Sequence, residues 1–243
     1  MPRNRNNCMS DRWQTKRFIG AFLLMLMIAG QPMAQGSSRD VIGVLIDNTG
    51  SMRPHLSLMK EIAKEIVASS TTTTYFSLFG FQFVKVEKEE RAMILLGSQC
   101  STDREILKKE IDILPIQPGQ TMLYDTIRDA ADLLAAKRPP TCDAFTEKAL
   151  VIISDGEDRA STLKDKELIS ELQKKNVKVY AVALIEDLSD ERGFLSKSSR
   201  DKGKDFLKRL TSETGGNIVF PKNKQSVRDI LKALFEPKPV TKK

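Results

Sequence analysis

Residues 41–52 read VIGVLIDNTGSM, an apolar run that ends abruptly at Asp47. A second run, ALVIIS at positions 149–154, ends in the same way at Asp155. Neither run alternates between apolar and polar residues, and such continuous runs are typical of strands buried on both faces of a parallel sheet. Each run therefore predicts a buried strand that is followed directly by a carboxylate.

The segments around these two runs alternate between strand-like and helix-like patterns. Strands that alternate with helices predict an α/β fold with a doubly wound, mostly parallel central sheet flanked by helices. The further apolar runs occupy residues 75–84, 92–96, 177–184 and 217–220. Apolar residues recur at three- and four-residue spacing within residues 56–67, 123–134, 163–172, 206–210 and 227–234.

The first 34 residues have the pattern of a secretory signal peptide. A basic, polar stretch over 1–17 precedes the apolar run FIGAFLLMLMIAG at 18–30, and a small residue, Ala34, follows shortly after. The apolar run has about 13 residues, whereas a membrane span needs about 20. We therefore expect cleavage after Ala34 and a secreted or periplasmic protein, with an uncleaved N-terminal anchor as the alternative.

The remaining chain is expected to form one domain and a short tail. Residues 39–236 are enough to bury a sizeable core, and the Pro- and Lys-rich residues 237–243 predict a disordered C-terminal tail. The formal net charge of the chain is +7, of which residues 1–17 carry +4. The rest has no basic stripe interleaved with aromatic residues, so a nucleic-acid partner is not expected.

Oxygen-bearing side chains gather where the two buried strands are predicted to end. Asp47, Thr49 and Ser51 occupy alternate positions, and alternate side chains of an extended segment face the same side. Thr121 follows a Pro-Gly-Gln turn before a predicted helix, and Asp155 follows the second strand. Ligands of open α/β sheets bind at the carboxyl ends of strands near the switch point. An oxygen-only set suits Mg²⁺, with Ca²⁺ or Mn²⁺ as alternatives.

Each of these three segments, taken alone, can also be explained without a metal ion. An Asp at a helix N-cap and a Ser/Thr turn would account for any one of them. The three segments together favour the metal site.

The three motifs, in this order, resemble the von Willebrand factor A domain family. The metal-ion-dependent adhesion site of that family begins with Asp-x-Ser-x-Ser, which Asp47, Thr49 and Ser51 match with Thr in place of the first Ser. Thr121 and Asp155 match its second and third segments. The resemblance covers residues 39–236 and implies a Rossmann-like fold with one short antiparallel edge strand. It also implies hydroxyl ligands in changing combinations from Thr49, Ser51 and Thr121, with the two acids as anchors.

The resemblance implies a binding module and no enzyme. Its ion would recruit an Asp or Glu of a partner protein, with no membrane contact beyond the export signal and with the oligomeric state left open. One alternative is a metal-dependent hydrolase, for which Glu157 or Asp158 would be the general base. Another alternative is a structural envelope protein with a vestigial site. The single histidine, His55, argues against zinc sites and His-based triads.

The family's sheet also places the two cysteines of the mature chain. Its antiparallel strand would end near Cys100 at the edge opposite the metal, and Cys142 would precede the fourth strand at that same edge. The resemblance therefore implies a disulfide, which an exported protein can keep.

We predict that Cys100 and Cys142 of exported protein resist alkylation until a reductant is added. Peptide mass mapping before and after reduction measures this directly. Recovery of both cysteines as alkylated thiols without reduction would contradict the pairing.

Overall fold

The computed structural model describes residues 40–86, 89–136, 147–186, 198–221 and 226–235. The predicted leader and the predicted C-terminal tail lie outside these residues. Within them, no helix has the length and apolar character that crossing a lipid bilayer would require.

A single sheet forms the centre of the described domain. Its strands are β1 (Asp40–Ile46), β2 (Tyr75–Val86), β3 (Glu89–Leu96), β4 (Glu147–Ser154), β5 (Val177–Ala183) and β6 (Ile218–Val219). They lie in the order β3-β2-β1-β4-β5-β6. Neighbouring strands are parallel except at one edge, where β3 runs antiparallel to β2. The mostly parallel sheet predicted from the apolar runs is therefore confirmed.

Helices cover both faces of the sheet, as a doubly wound fold requires. The helices are α1 (Leu56–Ser69), α2 (Arg104–Ile113), α3 (Leu123–Ala135), α4 (Asp165–Lys174), α5 (Ser199–Thr214) and α6 (Val227–Phe235). A short 3-10 helix over Gly50–His55 precedes α1. Helices α3, α4 and α5 pack on one face, and α1, α2 and α6 pack on the other.

Strand β1 shows why its sequence does not alternate. Val41 and Leu45 point into the core beneath α3, α4 and α5, whereas Val44 and Ile46 point into the core beneath α1, α2 and α6. Both faces of the strand are covered by apolar side chains, so no position is left for a polar residue.

Helix α2 is absent from the prediction made from the sequence. Asp103 caps it, because the Asp103 carboxylate accepts hydrogen bonds of 3.0 Å from the backbone N–H groups of Glu105 and Ile106. Only Leu107 and Ile111 of this helix are buried. Two apolar residues four positions apart give a weak periodic signal. The N-cap residue Asp103 was the stronger sequence signal for this helix.

The strand order reverses at β1, which lies between β2 and β4. Ile46 pairs with Ile153 in the register of β1 and β4, so the residues that follow these two strands emerge side by side. The crevice at such a switch point is where open α/β sheets bind their ligands. The fold thus brings Asp47 next to Ser154 and Asp155.

Cys100 lies near the edge of the sheet opposite this crevice, as expected. Its neighbour Ser101 forms a β-bridge with Phe76 near the start of β2. Cys142 falls outside the described residues, so its pairing with Cys100 stays a prediction.

Candidate metal centre

The carboxylate of Asp47 lies fully buried at the end of β1. One oxygen, Oδ1, accepts hydrogen bonds from the Thr49 hydroxyl at 2.7 Å and from the Thr49 backbone N–H at 3.2 Å. The other oxygen, Oδ2, accepts a hydrogen bond of 2.6 Å from the Ser154 hydroxyl. Burial nevertheless raises the pKa of Asp47, and these hydrogen bonds offset only part of that rise.

Three hydroxyl groups from two distant segments line up beside Asp47. The Thr49 Oγ1 atom lies 3.4 Å from Ser51 Oγ and 3.4 Å from Thr121 Oγ1. Thr49 and Thr121 are buried, whereas Ser51 is exposed. The hydroxyl row therefore runs from the interior of the site to its solvent-facing mouth.

Asp155 completes the group from the end of β4. It is 3% exposed, and its Oδ1 atom accepts a hydrogen bond of 2.8 Å from the Glu157 backbone N–H. Burial raises the pKa of Asp155 to about 7, and the nearby charge of Asp47 adds to the rise. A hydrogen bond from Ser51 opposes it in part.

The chemistry of these donors fits a divalent cation. Two buried carboxylates lie close together, so that the charge of Asp47 raises the pKa of Asp155, and no described Lys or Arg forms an ion pair with either. Buried carboxylates are costly unless a cation or hydrogen bonds compensate for lost hydration. No group of three or more His, Cys, Asp or Glu side chains gathers in the described part of the chain. A metal here would therefore rely on hydroxyl oxygens.

Asn48 fixes the loop that carries Asp47 and Thr49. Its side chain points the opposite way from theirs and is fully buried. The Asn48 amide oxygen accepts from the Phe81 N–H at 2.6 Å, and its Nδ2 donates to the carbonyl oxygens of Phe81 and Pro115 at 3.2 and 2.7 Å. One amide thus joins the loop after β1 to β2 and to the segment that leads to Thr121.

The loop after β4 holds Thr121 in position. The Thr121 carbonyl oxygen accepts hydrogen bonds from the backbone N–H groups of Arg159 at 2.8 Å and Ala160 at 3.2 Å. Two backbone contacts from one loop restrain both the position and the direction of this residue. Thr121 therefore reaches Thr49 although 72 residues separate them.

The same loop also caps helix α3, whose own N-cap residue, Met122, makes no side-chain cap. Asp158 accepts a hydrogen bond of 3.2 Å from the Tyr124 N–H, and the Ser161 hydroxyl accepts one of 3.2 Å from the Asp125 N–H. In return, the Asp125 carboxylate accepts from the Leu163 N–H at 3.1 Å. The start of α3 and the loop after β4 therefore form one hydrogen-bonded unit.

Gly156 allows this loop to turn directly after Asp155. Its φ angle is +80°, in the left-handed region that favours glycine. A Cβ atom at this position would lie 2.8 Å from the carbonyl oxygen of Gly203 on α5. The loop consequently packs tightly against α5.

The structure brings together all five residues singled out in the sequence. Two further residues, Ser154 and Asn48, were not predicted to contribute. Ser154 could have been predicted from the sequence, because it places a hydroxyl at the last position of a strand buried on both faces. Asn48 could have been predicted because it lies between Asp47 and Thr49, so that its side chain points the other way, towards β2.

A family model for the von Willebrand factor type A domain matches residues 42–233, which is more than half of the chain. The chain belongs to the von Willebrand factor type A (VWA) family. No curated protein matches its sequence.

Solved structures share the fold of this VWA domain at low sequence identity. The pilus adhesin SpaC from Lactobacillus rhamnosus GG, in an open conformation, has a TM-score of 0.55 and 12% identity, over 82% of this chain and 31% of SpaC. Proximal thread matrix protein 1 from the mussel byssus has a TM-score of 0.54 and 18% identity, over 81% of this chain and 45% of its own. Its structure has a zinc-occupied MIDAS (metal-ion-dependent adhesion site) motif. The chain thus spans less than half the length of either protein.

The raised pKa of Asp155 predicts how stability depends on pH when a chelator is present. The pKa of this carboxyl rises from 3.8 to about 7, so between these values the native VWA domain holds a proton that the unfolded chain has released. The free energy of unfolding should therefore fall as the pH rises from about 5 to about 7, by roughly 2 kcal/mol. The raised pKa of Asp47 acts in the same direction.

Urea denaturation followed by circular dichroism, with a chelator present throughout, measures this dependence. The Asp155→Asn variant should show a smaller fall, because only the part due to Asp47 remains, whereas Asp112→Asn, which removes an exposed carboxylate on α2, should keep the full fall. A wild-type free energy of unfolding that rises over this pH range would contradict the assignment.

Proposed function

We propose that this VWA domain binds a divalent metal ion at a MIDAS-type site and uses it to hold a carboxylate of a partner protein. One observation carries the proposal. Asp47, Thr49, Ser51, Thr121 and Asp155 converge from three segments into a group of oxygen donors that includes two buried carboxylates. A cation would neutralise the charge that burial makes costly.

The proposed ion is Mg²⁺, with Ca²⁺ or Mn²⁺ as alternatives. Hard divalent cations prefer carboxylate and hydroxyl oxygens, which are the donors in this group. Thr49, Ser51 and Thr121 would supply the hydroxyl ligands, and Asp47 and Asp155 would anchor the ion. The zinc-occupied MIDAS motif of the mussel protein supports divalent metal binding in this fold.

The exposure of the donors supports an outside ligand. Asp47, Thr49, Thr121 and Asp155 are at most 4% exposed, whereas Ser51 is exposed. An ion held by this group would therefore meet solvent on the Ser51 side. Because hydroxyl ligands carry no formal charge, the ion would keep enough positive charge to attract an Asp or Glu side chain.

The contacts of Glu157 and Asp158 favour binding over hydrolysis. Glu157 accepts a hydrogen bond of 2.8 Å from the Arg159 guanidinium. Asp158 accepts hydrogen bonds from the Tyr124 N–H and from the Ser161 hydroxyl, which hold the loop to α3. These contacts give both carboxylates a structural role in the loop after β4, which a binding site needs and a general base does not.

The proposed organisation places the domain outside the cytoplasm. Residues 1–34 would be removed as a signal peptide, residues 39–236 would form the VWA domain, and residues 237–243 would be a disordered tail. The adhesin and byssus proteins that share the fold support an extracellular or periplasmic role.

We predict that Asp47→Asn abolishes Mg²⁺ binding and that Ser51→Ala weakens it by at least about tenfold. Asn keeps the size of the buried side chain and removes its charge, so the variant is less disruptive than Ala. Isothermal titration calorimetry of apo protein with MgCl₂ measures both effects. Ser57→Ala, an exposed serine on α1, is the matched control and should bind like wild type. Equal Mg²⁺ binding by wild type and Asp47→Asn would refute the site.

We also predict that the partner is captured only when the metal is present. Immobilised wild-type domain should retain a protein from extracellular or envelope extract in Mg²⁺, and a chelator or Asp47→Asn should release it. Retention that is identical in Mg²⁺, in chelator and with Asp47→Asn would show that the metal site does not hold the partner.

A further inference from the structure

A basic cleft lies between α5 and the end of β5, outside the metal centre. Its volume is about 470 Å³. Arg200, Lys204 and Lys208 line it at intervals of four residues along α5, so they lie on one face of the helix. Its other wall includes the ring of Phe220 and the neighbouring Pro221, with Ile185, Ala183 and Glu186 at the end of β5.

The two lysines share one aromatic ring. The Nζ atoms of Lys204 and Lys208 each lie 5.8 Å from the centroid of Phe220. Among the described residues, no carboxylate forms an ion pair with either. Like charges four residues apart on a helix repel each other, and a cation–π contact at an exposed site is a weak interaction. The pair would gain more from an anion placed between them.

Arg200 extends the positive surface towards the end of β5. Its guanidinium donates to the carbonyl oxygens of Ile185, at 3.1 Å, and Glu186. Arg200 also lies in the first turn of α5, where the helix dipole adds to the positive potential. Glu186 is the one acidic residue among the described lining residues.

The cleft is connected to the metal centre through α5. Gly203, which precedes Lys204, packs against Gly156, and Gly156 directly follows Asp155. Both sites also lie beyond the carboxyl ends of parallel strands, at the same edge of the sheet. A partner segment held at the metal centre would therefore have the basic cleft on its α5 side.

We propose that this cleft binds carboxylates of an acidic peptide segment, in the same partner that gives one carboxylate to the metal ion. This inference rests on the proposed function and names the chemistry of the partner: several Asp or Glu residues close together. Lys204 and Lys208 would pair with the carboxylates, and Phe220 and Pro221 would contact the methylene groups of Glu side chains.

The test uses fluorescein-labelled hexaglutamate and fluorescence anisotropy, in Mg²⁺ and in chelator. Lys204→Gln/Lys208→Gln should weaken binding by about tenfold in both conditions, because two exposed ion pairs are lost. Lys204→Arg/Lys208→Arg keeps the charges and should bind like wild type. Lys166→Gln/Lys174→Gln removes the same charge from two exposed positions on α4 and should change binding little.

The outcomes separate the cleft from the metal site. If binding requires Mg²⁺ but Lys204→Gln/Lys208→Gln matches wild type, the cleft proposal fails and the metal proposal stands. If binding is equal in Mg²⁺ and chelator but falls with Lys204→Gln/Lys208→Gln alone, the cleft is supported without the metal site. An equal loss in the α4 control variant would show an effect of net charge only and would overturn the cleft.

Discussion

The architecture of this domain depends on a buried carboxylate at the point where the strand order reverses. Asp47 follows β1, which has apolar cores on both faces, and its oxygens accept hydrogen bonds from Thr49 and Ser154. Ser154 can reach Asp47 because Ile46 and Ile153 are paired in register. A shift of one residue between β1 and β4 would turn Ser154 to the other face of the sheet and leave the carboxylate without this partner.

The segments around Asp47 are arranged to hold charge that is costly to bury. Asp155 lies close enough that the charge of Asp47 raises its pKa, yet the described residues provide hydroxyl and amide groups around both acids and no basic side chain. A protein selected for stability alone would avoid such a pair, since strained or costly groups persist where they serve a function. The pair is therefore better explained by a ligand than by folding.

The sequence predicted the sheet and the five oxygen donors because their signals are local. Continuous apolar runs mark β1 and β4, and alternate spacing marks Asp47, Thr49 and Ser51. The contacts of Asn48 and Asp158 join segments 33 or more residues apart, and no short pattern encodes them. Helix α2 was missed because only two of its residues reach the core. The predicted leader and the pairing of Cys142 concern residues that the structure does not describe.

The hydrogen bonds between helix α3 and the loop after β4 limit which segments can be exchanged between VWA domains. Because Asp158 and Ser161 cap a helix that has no side-chain cap of its own, the loop and the first turn of α3 behave as one unit. A chimera that received residues 155–163 from a relative would need residues 121–125 from the same relative. Transfer of the loop alone would leave a frayed helix start and displace Thr121 from the other donors.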